Sequence, residues 1–217
     1  MSDGKDVDGP PYLTIGIKAP NFTARTTEGQ KSLHDYLGRW VVLFSHPADF
    51  TPVCTSEVIA FARAHVRFLA IGCDLVGLSV DSLFSHLAWK KAIEEAFGVA
   101  IKYPLIEDPS MVMARAYGML PSGASSSATV RTTFVIDPQG IVRATTCYPT
   151  NVGRNVEEVL RLVTALQTSD RCNVLMPEAW QPGLPAIIAP PLTSDEVEKR
   201  TNENEGPWFY RTRTVDT

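Results

Sequence analysis

The 217-residue chain has only four cysteines, Cys54, Cys73, Cys147 and Cys172, widely spaced and with no CxxC pair among them. That spacing argues against a zinc site built on paired cysteines and against a disulfide framework. Excess charge of either sign is also scarce. The formal net charge is -4 and there is no basic run, which disfavours nucleic acid as the main partner. Long apolar runs are missing, so no stretch approaches the length of a membrane span. The opening residues Met1-Ser2-Asp3-Gly4-Lys5-Asp6 hold neither a basic segment nor an apolar one, so no export signal is visible and a cytoplasmic protein with reduced thiols is expected. Repeats and low-complexity tracts do not occur. What remains is ordinary globular composition, with 44% apolar and 20% charged residues.

Within that composition, residues 1–12 read as a polar lead-in with Pro10-Pro11. Tyr12 to Gly16 and Ala19 to Ala24 suit small edge strands. Arg39 to Ser45 is a compact apolar run, expected to be a central buried strand. Val58, Ala62, Val66 and Leu69 recur at helical spacing. Leu75 to Val80 is the next strand, and a helix marked by Phe84, Leu87, Ala88, Ile93 and Phe97 should stop at Gly98. Ile101 to Ile106 reads as a strand and Ser110 to Tyr117 as a short helix. Asp137-Pro138-Gln139-Gly140 is a turn between two strands, Thr132 to Ile136 and Ile141 to Tyr148. Val156, Val159, Leu160, Val163 and Leu166 give a further amphipathic helix. The order β-α-β-α-β-α-β-β-α predicts an α/β domain with a mixed central sheet over 13–170.

Residues 171–217 differ in character. They hold six of the sixteen prolines and show little periodicity, apart from a capping-box pattern, Thr193 to Glu196, ahead of a short helix near Ser194 to Arg200. Trp180, Trp208, Phe209 and Tyr210 are too apolar for a solvated tail. They call for a surface to pack on, in the same chain or on a partner.

The most informative stretch is Pro47-Ala48-Asp49-Phe50-Thr51-Pro52-Val53-Cys54. It follows the central strand and precedes a helix, so it sets Cys54 at a helix N-terminus. Unpaired backbone N–H groups and partial positive charge there favour a thiolate. A cysteine ahead of a helix is also often a small buried apolar residue, Thr51 alone would be a turn residue, and Arg131 alone a surface charge.

The wider segment, Ser45 to Glu57, resembles the active-site signature of peroxiredoxins, Pro-x-x-x-Thr-x-x-Cys. Ser45-His46-Pro47 and Thr51-Pro52-Val53-Cys54-Thr55 narrow the resemblance to the one-cysteine, peroxiredoxin-6-like subfamily. It extends through Gly77 to Ser82, His86-Leu87-Ala88-Trp89, Arg131, Tyr148-Pro149 and Gly153-Arg154-Asn155. The resemblance implies a thioredoxin-like fold with a smaller C-terminal arm at 171–217 that serves dimerisation. It implies a thiol-dependent peroxidase that reduces hydrogen peroxide and organic hydroperoxides through a Cys54 sulfenic acid. Cys54 is then the nucleophile, Thr51 a hydrogen-bonding group at the peroxide, and Arg131 the cation that holds the oxygens as charge develops. Pro47 shields the sulfenic acid, His46 orients the peroxide or walls the pocket, and Glu57 and Arg154 fix the arginine network.

No resolving cysteine stands in a Val-Cys-Pro setting or in the tail, so an external thiol reductant is expected, with Cys172 as the candidate for a two-cysteine cycle. Metal, haem and flavin are not required, because sulfur carries the redox change. The partners expected are peroxide, a thiol and a second copy of the chain, in a homodimer or a higher ring. Three other functions compete. A disulfide exchanger is disfavoured because position 51 is Thr, not Cys. A lipid hydrolase of the kind found in some relatives is disfavoured because its Gly-Asp-Ser-Trp-Gly motif is replaced here by Tyr36-Leu37-Gly38-Arg39-Trp40. An oligomeric holdase or scaffold is compatible with catalysis.

Overall fold

The apolar run after Arg39 forms the middle of a seven-stranded mixed sheet in a computed structural model that describes residues 13–120, 126–203 and 205–215. The lead-in read for 1–12 lies outside the described residues. The chain divides into two compact units, Met1–Val156 and Glu157–Thr217.

The first unit contains strands β1 (Thr23–Thr26), β2 (Gly29–Ser32), β3 (Trp40–Ser45), β4 (Cys73–Ser79), β5 (Leu105–Glu107), β6 (Arg131–Ile136) and β7 (Val142–Tyr148). They lie in the order β2-β1-β5-β4-β3-β6-β7. β3, β4 and β5 run parallel, while β6 and β7 form an antiparallel hairpin on one side and β1 and β2 another on the far side. Helices α1 (Pro52–Ala70) and α2 (Leu83–Phe97) make the crossovers β3-α1-β4 and β4-α2-β5, and α3 (Val112–Ala116) is a short turn of helix before β6.

All six residues of β3 are buried, as expected of a strand covered on both faces. Side chains alternate across it. Val41 and Leu43 join the core with Leu78, Ile106, Tyr117 and Phe134, while Phe44 stacks on Phe61 of α1 with ring centroids 4.1 Å apart. Gly77 of β4 is required by this packing: a Cβ there would lie 2.6 Å from Leu105 Cδ2 and 3.3 Å from Phe44 Cζ. α2 ends at Gly98 in the left-handed conformation, φ 65°, as the sequence predicts.

Several boundaries differ from the sequence reading. Ile101 to Ile106 yields a strand only from Leu105, no strand runs through Leu13 to Gly16, the described part of the expected Tyr12 to Gly16 strand, and the expected Ala19 to Ala24 strand begins only at Thr23, in β1. The polar β1–β2 hairpin has no apolar alternation to reveal it. Its turn is held by Thr26 Oγ1, which accepts from the Glu28 amide and donates to the Gly29 carbonyl.

The second unit begins one residue into α4 (Val156–Cys172), so this helix groups with the arm and not with the sheet. The division therefore precedes the 170/171 boundary expected from sequence. The reason is a small core of its own: Ala165 of α4 packs with Val174, Trp180, Ala186 and Val215. Trp180 is fully buried there and donates from Nε1 to the Leu184 carbonyl at 2.9 Å. β8 (Ala186–Ile188) pairs with β9 (Arg211–Arg213), and α5 (Ser194–Asn202) lies between them in sequence. Thr193 caps α5 by accepting from the Glu196 amide, as its pattern predicts. Strands of three residues are too short for periodicity to show. Phe209 and Tyr210 stay exposed, so only Trp180 among the arm's aromatics finds full cover within this chain.

Candidate active site

β3 delivers the chain to the site at its carboxyl end. Loop residues 46–51 then turn it into α1, whose first residue, Pro52, needs no hydrogen-bond partner for its nitrogen. Phe50 takes up the reversal in a left-handed conformation, φ 58°, unfavourable for a bulky side chain. Thr51 is the residue before the helix, with extended backbone angles, but its hydroxyl does not cap it. Oγ1 donates instead to the Ala48 carbonyl at 2.9 Å and braces the loop.

Cys54 is the third residue of α1 and fully buried. Its sulfur accepts from Arg131 Nη1 at 3.4 Å. The antiparallel pairing of β6 with β3 carries Arg131 there, across 77 positions of sequence. Arg131 is tied down on both sides. Nη1 also donates to Glu57 Oε2 at 2.6 Å, and Nε and Nη2 donate to the Thr150 carbonyl at 3.2 and 2.6 Å.

Glu57, one turn beyond Cys54, is the hub of the network. It accepts from the Arg154 amide at 2.7 Å and from Arg154 Nε and Nη2 at 2.8 Å each. Arg154 also donates to the Thr132 carbonyl and to Thr133 Oγ1, and its guanidinium lies 5.2 Å from the centroid of the Phe44 ring. Burial alone would raise the pKa of Glu57. The hydrogen bonds and charge of Arg154, with the charge of Arg131, outweigh burial and hold it below the ordinary carboxylate range. Two guanidinium groups thus face one carboxylate. The guanidinium of Arg131 also lies beside the sulfur of Cys54.

Four residues named from sequence, Cys54, Glu57, Arg131 and Arg154, therefore meet in one buried network. Pro47 is buried in the loop. His46 is buried too, and its ring turns to Asp49, with Nε2 2.9 Å from Oδ1. Burial pushes the pKa of His46 down, against the opposing pull of Asp49. The sequence reading assigns no role to Asp49 or His86. A signal is present, since Asp49 lies inside the signature stretch and His86 opens the His86-Leu87-Ala88-Trp89 patch.

Beside the loop, between α1 and α2, lies an apolar groove of about 660 Å³ lined by Phe50, Pro52, Ile59, Trp89, Ile93 and Phe97. The other thiols stand on other elements. Cys73 is buried, and burial followed by Asp74 pushes its pKa up, so it stays a protonated core residue. Cys147 is exposed on β7. Cys172 ends α4 in the second unit, part-exposed, with Arg213 donating to its carbonyl at 2.6 Å.

The sequence and the fold match known proteins. Residues 15–145 match the AhpC/TSA family, and residues 165–204 match the C-terminal domain of 1-Cys peroxiredoxin. The chain belongs to the peroxiredoxin family. "Peroxiredoxin 2" of Caldanaerobacter subterraneus subsp. tengcongensis is 48% identical over 192 residues, 88% of this chain and 87% of the relative. A peroxiredoxin of Aquifex aeolicus is 48% identical over 200 residues, covering 87% and 90%. Among solved structures, a yeast mitochondrial 1-Cys peroxiredoxin is 40% identical with a TM-score of 0.83, covering 94% of this chain and 100% of that one. Peroxiredoxin 6 of Arenicola marina is 31% identical with a TM-score of 0.82, at the same coverages. This peroxiredoxin is accordingly a thioredoxin-like α/β protein with a C-terminal arm, and a thiol-dependent peroxidase. No described helix is long and apolar enough to cross a membrane.

Proposed function

We propose that Cys54 reduces hydrogen peroxide and organic hydroperoxides in a one-cysteine cycle closed by an external thiol. The observation that carries this reading is the hydrogen bond from Arg131 Nη1 to Cys54 Sγ at the start of α1. The Cys54 thiol gives up its proton as its sulfur attacks the hydrogen-bearing oxygen of the peroxide, the O–O bond breaks, and the leaving alkoxide takes up that proton's equivalent to become an alcohol, or water from hydrogen peroxide. Cys54 is then a sulfenic acid. One thiol displaces water from it to form a mixed disulfide, and a second thiol releases Cys54 and leaves as a disulfide.

Arg131 holds the oxygens as negative charge develops, and Glu57 and Arg154 keep Arg131 in place. Thr51 offers a hydroxyl at the peroxide, and Pro47 and His46 wall the pocket. The apolar groove beside Phe50 suits the hydrocarbon tail of an organic hydroperoxide. The arm packs on a neighbouring subunit of a homodimer that can build into a ring; the exposed Phe209 and Tyr210 support this. Dependence on a free thiol suits the reducing cytoplasm.

Mass spectrometry after one equivalent of peroxide tests the cycle. A Cys54 sulfenic acid supports it, and a Cys54–Cys172 disulfide replaces it with a two-cysteine cycle. Peroxide turnover retained by Cys54→Ser would overturn the assignment of the nucleophile. Assembly retained without turnover in that variant separates catalysis from a purely scaffolding role.

A further inference from the structure

A buried cluster joins the signature loop to α2, and two of its members, Asp49 and His86, have no part in the chemistry above. His46, Asp49 and His86 are all buried, and one polar side-chain atom of each lies within 4.8 Å of the others. Asp49 sits between the two rings. Oδ1 is 2.9 Å from His46 Nε2, and Oδ2 is 2.8 Å from His86 Nδ1.

The geometry at His86 is unusual. Its second nitrogen, Nε2, faces the Ile106 carbonyl at 3.1 Å. A carbonyl oxygen can only accept. Burial alone would raise the pKa of Asp49, but the hydrogen bonds of His46 and then His86 outweigh burial and lower it. Asp49 is therefore a carboxylate and also only accepts. Neutral imidazole carries a single N–H, so it would leave one lone pair pressed against an oxygen lone pair in a site with no exposure. A proton on both nitrogens removes that conflict.

The neighbouring charges favour it. His86 faces Asp49 from the loop and Glu107 at the end of β5, while Asp81 bonds the Asp49 amide. Glu107 is itself paired with Arg25, and Asp81 accepts from Ser79 Oγ. The one other group in the cluster able to carry positive charge, His46, is the one whose protonation burial opposes.

We propose that His86 is a positioning residue for the catalytic loop, held as a buried imidazolium that anchors Asp49 and thereby the loop leading to Cys54. The anchor joins three elements. His86 belongs to α2, its Nε2 proton is given to the last-but-one residue of β5, and its Nδ1 proton goes to the loop. The Asp49 amide donates to Asp81 Oδ2 at 3.0 Å, so backbone and side chain of this one residue are both fixed. His46 becomes oriented in the same step: its Nε2–H is given to Asp49, which leaves Nδ1 as a buried lone pair with no hydrogen-bond partner in the structure. The inference rests on Cys54 being the peroxide-reacting thiol only for its kinetic consequence, not for the protonation of His86.

Two measurements separate those parts. Long-range proton–nitrogen NMR of the histidine-labelled wild-type protein at about pH 8, well above the ordinary histidine pKa, should show both His86 nitrogens protonated and His46 protonated on Nε2 alone. Asp49→Asn should return His86 to a single N–H at that pH. A neutral His86 in the wild type, or a metal ion retained by the purified protein in stoichiometric amount, overturns the proposal. For the kinetic part, His86→Leu and Asp49→Asn should each slow Cys54 oxidation by hydrogen peroxide by about tenfold, with the double variant no worse than the poorer single one, as coupled groups require. Additive losses, or an unchanged rate in folded His86→Leu, refute the positioning role.

Discussion

Replacing Glu57 by glutamine removes one charge and almost no volume from the network beside Cys54, so its effect can be worked out closely. The carboxylate is 2% exposed and receives four hydrogen bonds, one from Arg131 and three from Arg154. Each charge contact near 4 Å is worth about 4 kcal/mol at an effective dielectric of 20, most of it offset in the intact network by desolvation of the ions. The Glu57→Gln side chain keeps one acceptor oxygen and turns an NH₂ towards a guanidinium, so both buried arginines lose their counter-charge. Removing one partner of a buried pair costs about 3–5 kcal/mol, a large share of the roughly 5–15 kcal/mol that keeps a domain folded. With a urea m-value of about 2 kcal/mol/M, the unfolding midpoint should fall by about 1.5–2.5 M at unchanged slope. Glu158→Gln is the internal control. That carboxylate is 48% exposed in its pair with Arg161 and should cost under about 1 kcal/mol. Equal, small losses for the two variants would show that the Glu57 hub is not the buried keystone described above.

Other substitutions probe neighbouring parts. Arg131→Met should slow Cys54 oxidation by about 10²–10³-fold, the usual cost of one lost charge-stabilising donor. Arg131→Lys should recover only part of that, because one ammonium cannot serve Cys54, Glu57 and the Thr150 carbonyl together; stopped-flow rates equal to wild type would contradict this. Gly77→Ala should destabilise by about 1–3 kcal/mol through overpacking against buried Leu105 and Phe44, read as a lower melting temperature. Phe50→Gly relieves left-handed strain of about 1–2 kcal/mol and gives back about 0.5–1 kcal/mol in unfolded-chain entropy. Stability within about 1 kcal/mol of wild type is therefore expected, and a larger loss would mean that the exposed ring packs more tightly than its position indicates. Acid should destabilise in two stages. The pKa of His46 is lowered by burial, so below about pH 6.5 the unfolded chain binds a proton that the folded chain refuses, and stability falls with pH. Glu57 and Asp49, whose folded pKa values are depressed, add a steeper loss below about pH 4.5. A His46→Gln variant whose urea midpoint falls as much as that of the wild type between neutral pH and about pH 5 would remove the His46 contribution.

Local signals account for what could be read without coordinates. The buried strand at Trp40–Ser45 follows from an unbroken apolar run, α1 from its 3.6-residue repeat, and the hairpin after Ile136 from the Asp137 to Gly140 turn. The arm was legible as a region but not as a structure. Its strands are three residues long, and its core depends on Trp180, Val174 and Val215 arriving from separate segments.

By itself, the sequence determined the chemistry at one point: a thiol at a helix mouth, reached through a proline-braced loop, because helix start, turn and nucleophile are neighbours in the chain. It also offered Arg131, Glu57 and Arg154 as candidates without showing how they meet. Only the tertiary structure decided that, because β6 must pair with β3 before Arg131 reaches Cys54, and Arg154 must fold back 97 positions to Glu57. It alone set His86 against Asp49, 37 positions away, in a site closed to solvent. Charges spaced so far apart along the chain show their pairing only when burial forces each to find a partner.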